Sequence, residues 1–183
     1  MSISFPEIET ERLLLRRITS ADRNDVFRYL STEDVVKHMG IFPYRSAEAV
    51  QDEINWYDRI FQEGSGIRWG ITFKGKKQVI GSCGFLNRKK VHFKAEIGYE
   101  LAPEYWSKGI AGEALLAICT YGFDFLNMER IEALVEPENN ASMKLLERCG
   151  FLKEGLLRHY EYTRNKFDDV YMYSFLKGDR STF

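Results

Sequence analysis

The segment from residue 97 to 123, IGYELAPEYWSKGIAGEALLAICTYGF, holds the residue types and spacing most suited to chemistry. Gly109 and Gly112 leave the backbone uncrowded, and Ala111 between them is small. The first N–H groups of a helix have no intrahelical acceptor, and they point outward together with the positive end of the helix dipole. Main-chain donors across Ser107, Lys108, Gly109, Ile110, Ala111 and Gly112 can therefore cradle a phosphate or pyrophosphate, with the Lys108 ammonium as an added charge. A helix start whose glycines serve close packing is the other reading, and the residues alone leave both open. Two common phosphate sites are excluded, because neither GxxxxGK followed by Ser or Thr nor GxGxxG occurs.

The elements that must position this loop follow from periodicity and turn chemistry. Residues 12–18 (RLLLRRI) form a short apolar run suited to a strand. Ser20 is expected to cap a helix with Val26, Phe27 and Leu30 at helical spacing. A second short helix is expected over 32–39, ended by Gly40. Ser46 caps a longer one, in which Val50, Ile54, Tyr57 and Phe61 recur every three or four residues until Gly64. The period then becomes that of strands over 68–73, 79–86 and 92–101, the first two joined by Lys74, Gly75 and Lys76. After Pro103 the helical period returns through Ile110, Ala114, Ala117, Ile118, Tyr121 and Phe125. A strand at 131–135, broken by Pro137, Asn139 and Asn140, leads to a helix over 141–149 that Gly150 stops. Two closing strands, 151–162 and 167–175, straddle a turn at Arg164, Asn165 and Lys166. The order β-α-α-α-β-β-β-α-β-α-β-β predicts a mixed α/β (α+β) fold with a largely antiparallel sheet. Strand, helix and strand from 95 to 135 predict one right-handed parallel crossover.

A chain of 183 residues suits one domain and can bury roughly 70% of its unfolded surface without metal or disulfide. A net charge of -1 argues against a nucleic-acid partner held mainly by overall charge. Cys83, Cys119 and Cys149 form no CxxC pair, and His38, His92 and His159 are equally scattered, so free core thiols are expected and no metal site. The N-terminus, MSISFPEIETE, lacks a basic and an apolar leader region, and no apolar run approaches the ~20 residues needed to cross a bilayer. A cytoplasmic protein without a membrane partner is expected.

Residues 106–115, WSKGIAGEAL, resemble the acetyl-CoA loop of the GNAT N-acetyltransferases, roughly Q/R-x-x-G-x-G/A, through Gly109, Ile110 and Ala111. Trp106 stands where Gln or Arg is usual, a departure shared by the branch resembling the RimJ and RimL ribosomal-protein N-terminal acetyltransferases. Residues 135–151, VEPENNASMKLLERCGF, are similar to the second family block, N-x-x-S-x-x-L-x-E-x-x-G-F, through Asn139, Ser142, Leu145, Glu147, Gly150 and Phe151. TERLLLRR at 10–17 resembles the opening strand of that branch, and EGLLRHYEYTRNKFDDVYMYS at 154–174 its closing hairpin. Four blocks in the right order span about 10–176.

The resemblance implies a single domain over 1–183, with its core at about 10–177. It also implies a twisted sheet of about seven strands, splayed as a V between the fourth and fifth, here 95–101 and 131–135. In such a gap pantetheine pairs with backbone near Leu101, and Asn139 faces the pantetheine arm; a helix cap is an equal reading for Asn139. Acetyl-CoA is the implied acyl donor and a primary amine the acceptor, with no metal. The branch points to the N-terminal α-amine of a protein such as a ribosomal protein. A small-molecule amine acetyltransferase and a non-catalytic acyl-CoA-binding module are the alternatives. Members often pair as homodimers.

Acyl transfer needs a neutral amine. An α-amine with pKa near ~8 is about one-tenth neutral at pH 7, whereas a lysine near ~10.4 is roughly a thousandth or less, so the second needs a base far more. By resemblance, Glu96 matches a strand glutamate used as base, directly or through water. Glu161 resembles a closing-strand glutamate of the ribosomal branch with the same role, and Ser142 matches its serine acid near the thiol. Leu146 occupies the place where many members carry a tyrosine acid. Each of the three also has a structural reading: an ion-paired strand residue for either glutamate, a first-turn helix contact for Ser142.

Overall fold

The computed structural model describes residues 4–182. Its strands are β1 (Ile8–Glu9), β2 (Leu13–Arg17), β3 (Ile67–Phe73), β4 (Gly81–Lys89), β5 (Lys94–Leu101), β6 (Arg130–Val135), β7 (Leu152–Thr163) and β8 (Lys166–Leu176). Its helices are α1 (Arg23–Leu30), α2 (Glu33–Val36), α3 (Ala47–Glu63), α4 (Ile110–Asp124) and α5 (Asn140–Arg148). The strands form one sheet in the order β1-β2-β3-β4-β5-β6-β8-β7, antiparallel throughout except for the parallel β5–β6 pair. This is the mixed, mostly antiparallel α/β sheet expected. Its eighth strand, β1, has two residues, too few to show a period of two.

Alternation along the strands sends two side-chain sets to opposite faces. Leu13, Leu15, Trp69, Phe85, Ile97 and Leu101 pack under α4 and α5, where Trp69, Phe85 and Phe123 are sealed from solvent. On the other face α1 and α3 contribute Val26, Tyr29, Leu30, Val50, Ile54 and Tyr57. Ser46 caps α3 by accepting the Ala49 N–H at 3.2 Å, and Gly64 ends it in the left-handed region with φ 67°. Cys83, Cys119 and Cys149 are buried free thiols. No helix among the described residues is long and apolar enough to cross a membrane.

Local expectations fail where a polar contact redirects the chain. Ser20 is not the cap. Asp22 accepts the Thr19 N–H at 2.9 Å and both terminal nitrogens of Arg16, which closes a short 3-10 turn over Ser20–Asp22 before α1 begins. The helix over 32–39 shrinks to the single turn of α2, and Gly40 adopts φ 69°. The strand over 92–101 starts at Lys94, because Lys90–His92 form a 3-10 turn and Phe93 sits at φ 51°.

The decisive feature for a site is the β5–β6 pairing. It covers only Lys94–Arg130, Ala95–Ile131 and Glu96–Glu132. Beyond Glu96 the two strands diverge, β5 staying with β4 as far as Leu101 and β6 with β8 as far as Val135. The expected V lies here.

Candidate active site between the splayed strands

Backbone groups of β5 alternate between its two neighbours. Ala102 donates its N–H to Ile80 O at 2.8 Å on the β4 side, so the main-chain groups of Ile97, Tyr99 and Leu101 face the gap. One of these is already taken. The Trp106 indole Nε1 donates to Leu101 O at 2.7 Å, which corrects the expectation of a free carbonyl at Leu101 and moves the open stretch back towards Ile97 and Tyr99. Trp106 therefore closes the far end of the gap from the loop side.

The loop that follows supplies the donors. Gly109 is the N-cap residue of α4 with φ 74°, and Ser107 has φ 59°. The first intrahelical bond runs from Glu113 N to Gly109 O at 3.1 Å, so the N–H groups of Ile110, Ala111 and Gly112 are left over. Ile110 buries its side chain and presents only its amide, while Gly112 lies against α5, with Leu145 Cδ1 3.5 Å from where a Cβ would stand. The Lys108 ammonium turns away to Glu104 O at 2.7 Å. The positive charge at the loop is instead Arg12, whose Nη1 donates to Lys108 O at 3.0 Å. Arg12 Nε is held by Glu113 Oε2 at 2.6 Å, and Thr10 Oγ1 donates to Glu113 Oε1 at 2.5 Å. Burial pushes the Glu113 carboxyl up, but the Thr10 hydroxyl and the Arg12 amide and guanidinium outweigh it and hold it below the usual range. The opening-strand block TERLLLRR contains both Thr10 and Arg12, yet nothing local ties them to a helix about a hundred residues later.

Across the gap, Asn139 caps α5 by accepting the Ser142 N–H at 3.1 Å. The Ser142 hydroxyl sits 2.5 Å from Tyr99 Oη, joining α5 to the face of β5 that carries Ile97 and Leu101. Burial raises the Tyr99 phenol and the Ser142 contact lowers it again, the balance remaining well above the ordinary value. Sequence reasoning found Ser142 and missed Tyr99. Leu146 is fully buried.

The opposite face of β5 carries the carboxylates. Glu96 accepts from Asn87 Nδ2 at 3.1 Å. Glu161 is half-buried near the tip of the β7–β8 hairpin, where an irregularity between Leu157 and Glu161 bends the strand. Arg164 in the hairpin turn donates to Ile41 O at 2.7 Å and Glu33 Oε1 at 3.1 Å, tying the tip to the segment around α2. Burial raises the Glu161 pKa, and the charges of Glu96, Asp168 and Glu136 raise it further. Asp168 behaves oppositely: Lys166 and the Thr163 hydroxyl hold it below the usual range. Glu136 is held by His38 Nδ1 at 2.6 Å. Of the pair Glu161 and Asp168, Glu161 is the one whose affinity for a proton has been raised.

The chain matches the family model described as acetyltransferase (GNAT) domain over residues 12–152. It is 44% identical over 170 residues to the N-acetyltransferase p20 of Bacillus licheniformis, covering 93% of this chain and 96% of that one. It is 40% identical over 173 residues to the N-acetyltransferase YoaA of Bacillus subtilis, covering 94% and 98%. A GNAT-family acetyltransferase structure from Bacillus anthracis superposes with a TM-score of 0.83 at 28% identity, covering 94% of this chain and 99% of that chain. A parallel pair that parts after three residues, a glycine-capped helix beside it and this degree of likeness lead to one conclusion: the chain belongs to the GNAT family of acyl-CoA-dependent N-acetyltransferases.

Proposed function

We propose that this protein moves the acetyl group of acetyl-CoA to the α-amine at the N-terminus of a protein, such as a ribosomal protein, by direct attack. The Ile110, Ala111 and Gly112 amides and Arg12 hold the pyrophosphate, with Ser107, Lys108 and Gly109 shaping the bend. Pantetheine lies along Ile97 and Tyr99, against Asn139, in the manner of an added strand.

The amine enters from the carboxylate face. Glu161, with Glu96 beside it, takes the proton that the ammonium must lose. The nitrogen then forms its bond to the thioester carbon and gives up a second proton to solvent, and the C–S bond breaks as the tetrahedral arrangement collapses. The departing sulfur takes a proton from the Ser142 hydroxyl, which is replenished through Tyr99 and in turn from solvent. The products are the amide and free CoA. The observation that carries this reading is the gap that opens between β5 and β6 beyond Glu96, with the Tyr99–Ser142 pair beside it; the raised Glu161 pKa supports it. A leaving thiol with a pKa near ~8.5 needs modest help, which suits a hydroxyl pair better than a strong acid.

The test is CoA release by the full chain with acetyl-CoA and a panel of peptides with free or blocked N-termini, together with amino acids and spermidine. Mass spectrometry locates the acetyl group. Label on the α-amine of free-ended peptides is the expected result. Turnover confined to spermidine refutes the acceptor, and tight acetyl-CoA binding without product on any amine refutes catalysis.

A further inference from the structure

We propose that a cavity at the closed end of the β5–β6 pair binds the phosphate group of a small phosphate ester, at a site separate from the acetyl-CoA loop. The cavity has a volume of about 170 Å³ and lies between the β4–β5 connection (90–93) and the segment leading from α4 to β6 (125–129). Pockets for drug-sized ligands run to ~300–1,000 Å³, so this one suits a small group. Lys94, at its edge, makes the first rung of the parallel pair with Arg130, whereas the strands part only beyond Glu96. β5 has eight residues, a length of roughly 23 Å at ~3.3 Å per step, so the cavity and the pyrophosphate bend sit at opposite ends of this strand.

The balance of charge points to the ligand. Arg88, Lys89, Lys90 and Lys94 line the cavity, and no carboxylate among the described residues does. Lys94 is neutralised by Glu132, its ammonium 2.9 Å from Oε1. The other nearby acids are also engaged: Glu129 with Lys177 at 3.9 Å and Asp124 with Arg180 at 2.8 Å. Lys90 turns its ammonium to Gly64, where the C-terminal end of α3 favours positive charge. Arg88 and Lys89 are left without a carboxylate partner among the described residues.

Arg88 is half-buried, and its Nη2 donates to Leu126 O at 2.8 Å. That bond fixes the guanidinium against the wall and satisfies a carbonyl that would otherwise repel an anion. Its other nitrogens make no hydrogen bond among the described residues, and burial lowers its pKa with only Tyr121 set against it. The Asn127 side chain lines the same space, also without a hydrogen-bond partner among the described residues, while Phe93, Leu126 and Met128 supply an apolar wall. A phosphate brings two negative charges and several acceptor oxygens to a guanidinium fork, an ammonium and an amide, and a carboxylate brings one charge. The apolar wall suits the body that carries the phosphate.

The test is a titration of the full chain followed by proton–nitrogen correlation NMR at constant ionic strength, with one equivalent of CoA present to occupy the pyrophosphate loop. Phenyl phosphate is the probe and acetate the comparison. Phenyl phosphate is expected to shift the Arg88 Nε–H and the amides of 89–94 and 126–128 saturably, and to bind about tenfold more tightly than acetate, the order expected of one further charge-assisted hydrogen bond. Arg88→Met should weaken phenyl phosphate about tenfold. Lys89→Glu leaves the Leu126 contact intact and should weaken it by a similar factor; if Arg88→Met unfolds, Lys89→Glu decides alone. Shifts that never saturate, that acetate reproduces at equal concentration, or that persist unweakened in either folded variant overturn the proposal. The readout involves no acetyl transfer, so a failure of that reading is seen separately in the CoA-release assay.

Discussion

Gly109 offers a sharp test of the pyrophosphate loop, because two substitutions there share one cost and differ in another. At φ 74° any L side chain is strained, by about 1–2 kcal/mol. The nearest heavy atom to a Cβ is Arg12 Nη2 at 3.4 Å, so space is not the obstacle. Gly109→Ala and Gly109→Glu should therefore lose similar stability, lowering Tm by about 2–8 °C for a chain of this size. Only the glutamate brings a charge. At roughly 6 Å and an effective dielectric of about 40, one carboxylate against one phosphate charge costs about 1.4 kcal/mol, so the two charges of a pyrophosphate cost about a hundredfold in affinity. Arg12 is already engaged by Glu113 at 2.6 Å, which limits how far it can neutralise the newcomer. Calorimetry of acetyl-CoA binding and thermal unfolding of both variants make the comparison. If the two bind acetyl-CoA within twofold of each other, the pyrophosphate does not sit at this bend.

Glu161→Gln should lower kcat/KM by about 10²–10⁴-fold and remove the acid limb of its pH profile. Because the folded pKa is raised, ionised Glu161 costs stability above that pKa and nothing below the ordinary carboxylate range, so this variant should unfold no earlier than the wild type at neutral pH. Glu96→Gln removes one of the charges that raise Glu161, so its acid limb should move to lower pH; an unmoved limb would separate the two carboxylates. Ser142→Ala and Tyr99→Phe should each lower kcat by about tenfold, and together by little more, since both act through one 2.5 Å contact; additive losses measured in a double-mutant cycle would refute the shared pathway. Asn139→Ala should cost about 1 kcal/mol in chemical denaturation through loss of the α5 cap, and a larger effect on KM for acetyl-CoA than on stability would mark contact with pantetheine.

The legible parts of this protein are those whose cause is local. Apolar period, Gly64 and the turn at Arg164–Asn165 locate α3 and the closing hairpin to within a residue or two. The glycine at the start of α4 announced a bend with spare donors, and its φ of 74° is the physical form of that signal. Where local chemistry misled, a side chain from elsewhere in the fold had intervened: Arg16 drawing Asp22 into the turn before α1, or the Trp106 indole taking a carbonyl that the strand pattern leaves free. Lys108 looked like the loop's charge by adjacency, but its ammonium found Glu104 O, and Arg12, just before β2, took the position.

Sequence alone was enough to determine the order of elements from β2 onward, the crossover from β5 to β6, the glycine that opens α4 and the family to which the chain belongs. These depend on contacts between near neighbours, or on blocks of residues that recur together. Tertiary structure decided which groups meet: Thr10 and Arg12 with Glu113, Tyr99 with Ser142, and Arg68 with Ser82 and Glu100. Such meetings depend on strand register and on how far a hairpin bends. Both are set by the packing of the whole sheet, which no short stretch of residues encodes by itself.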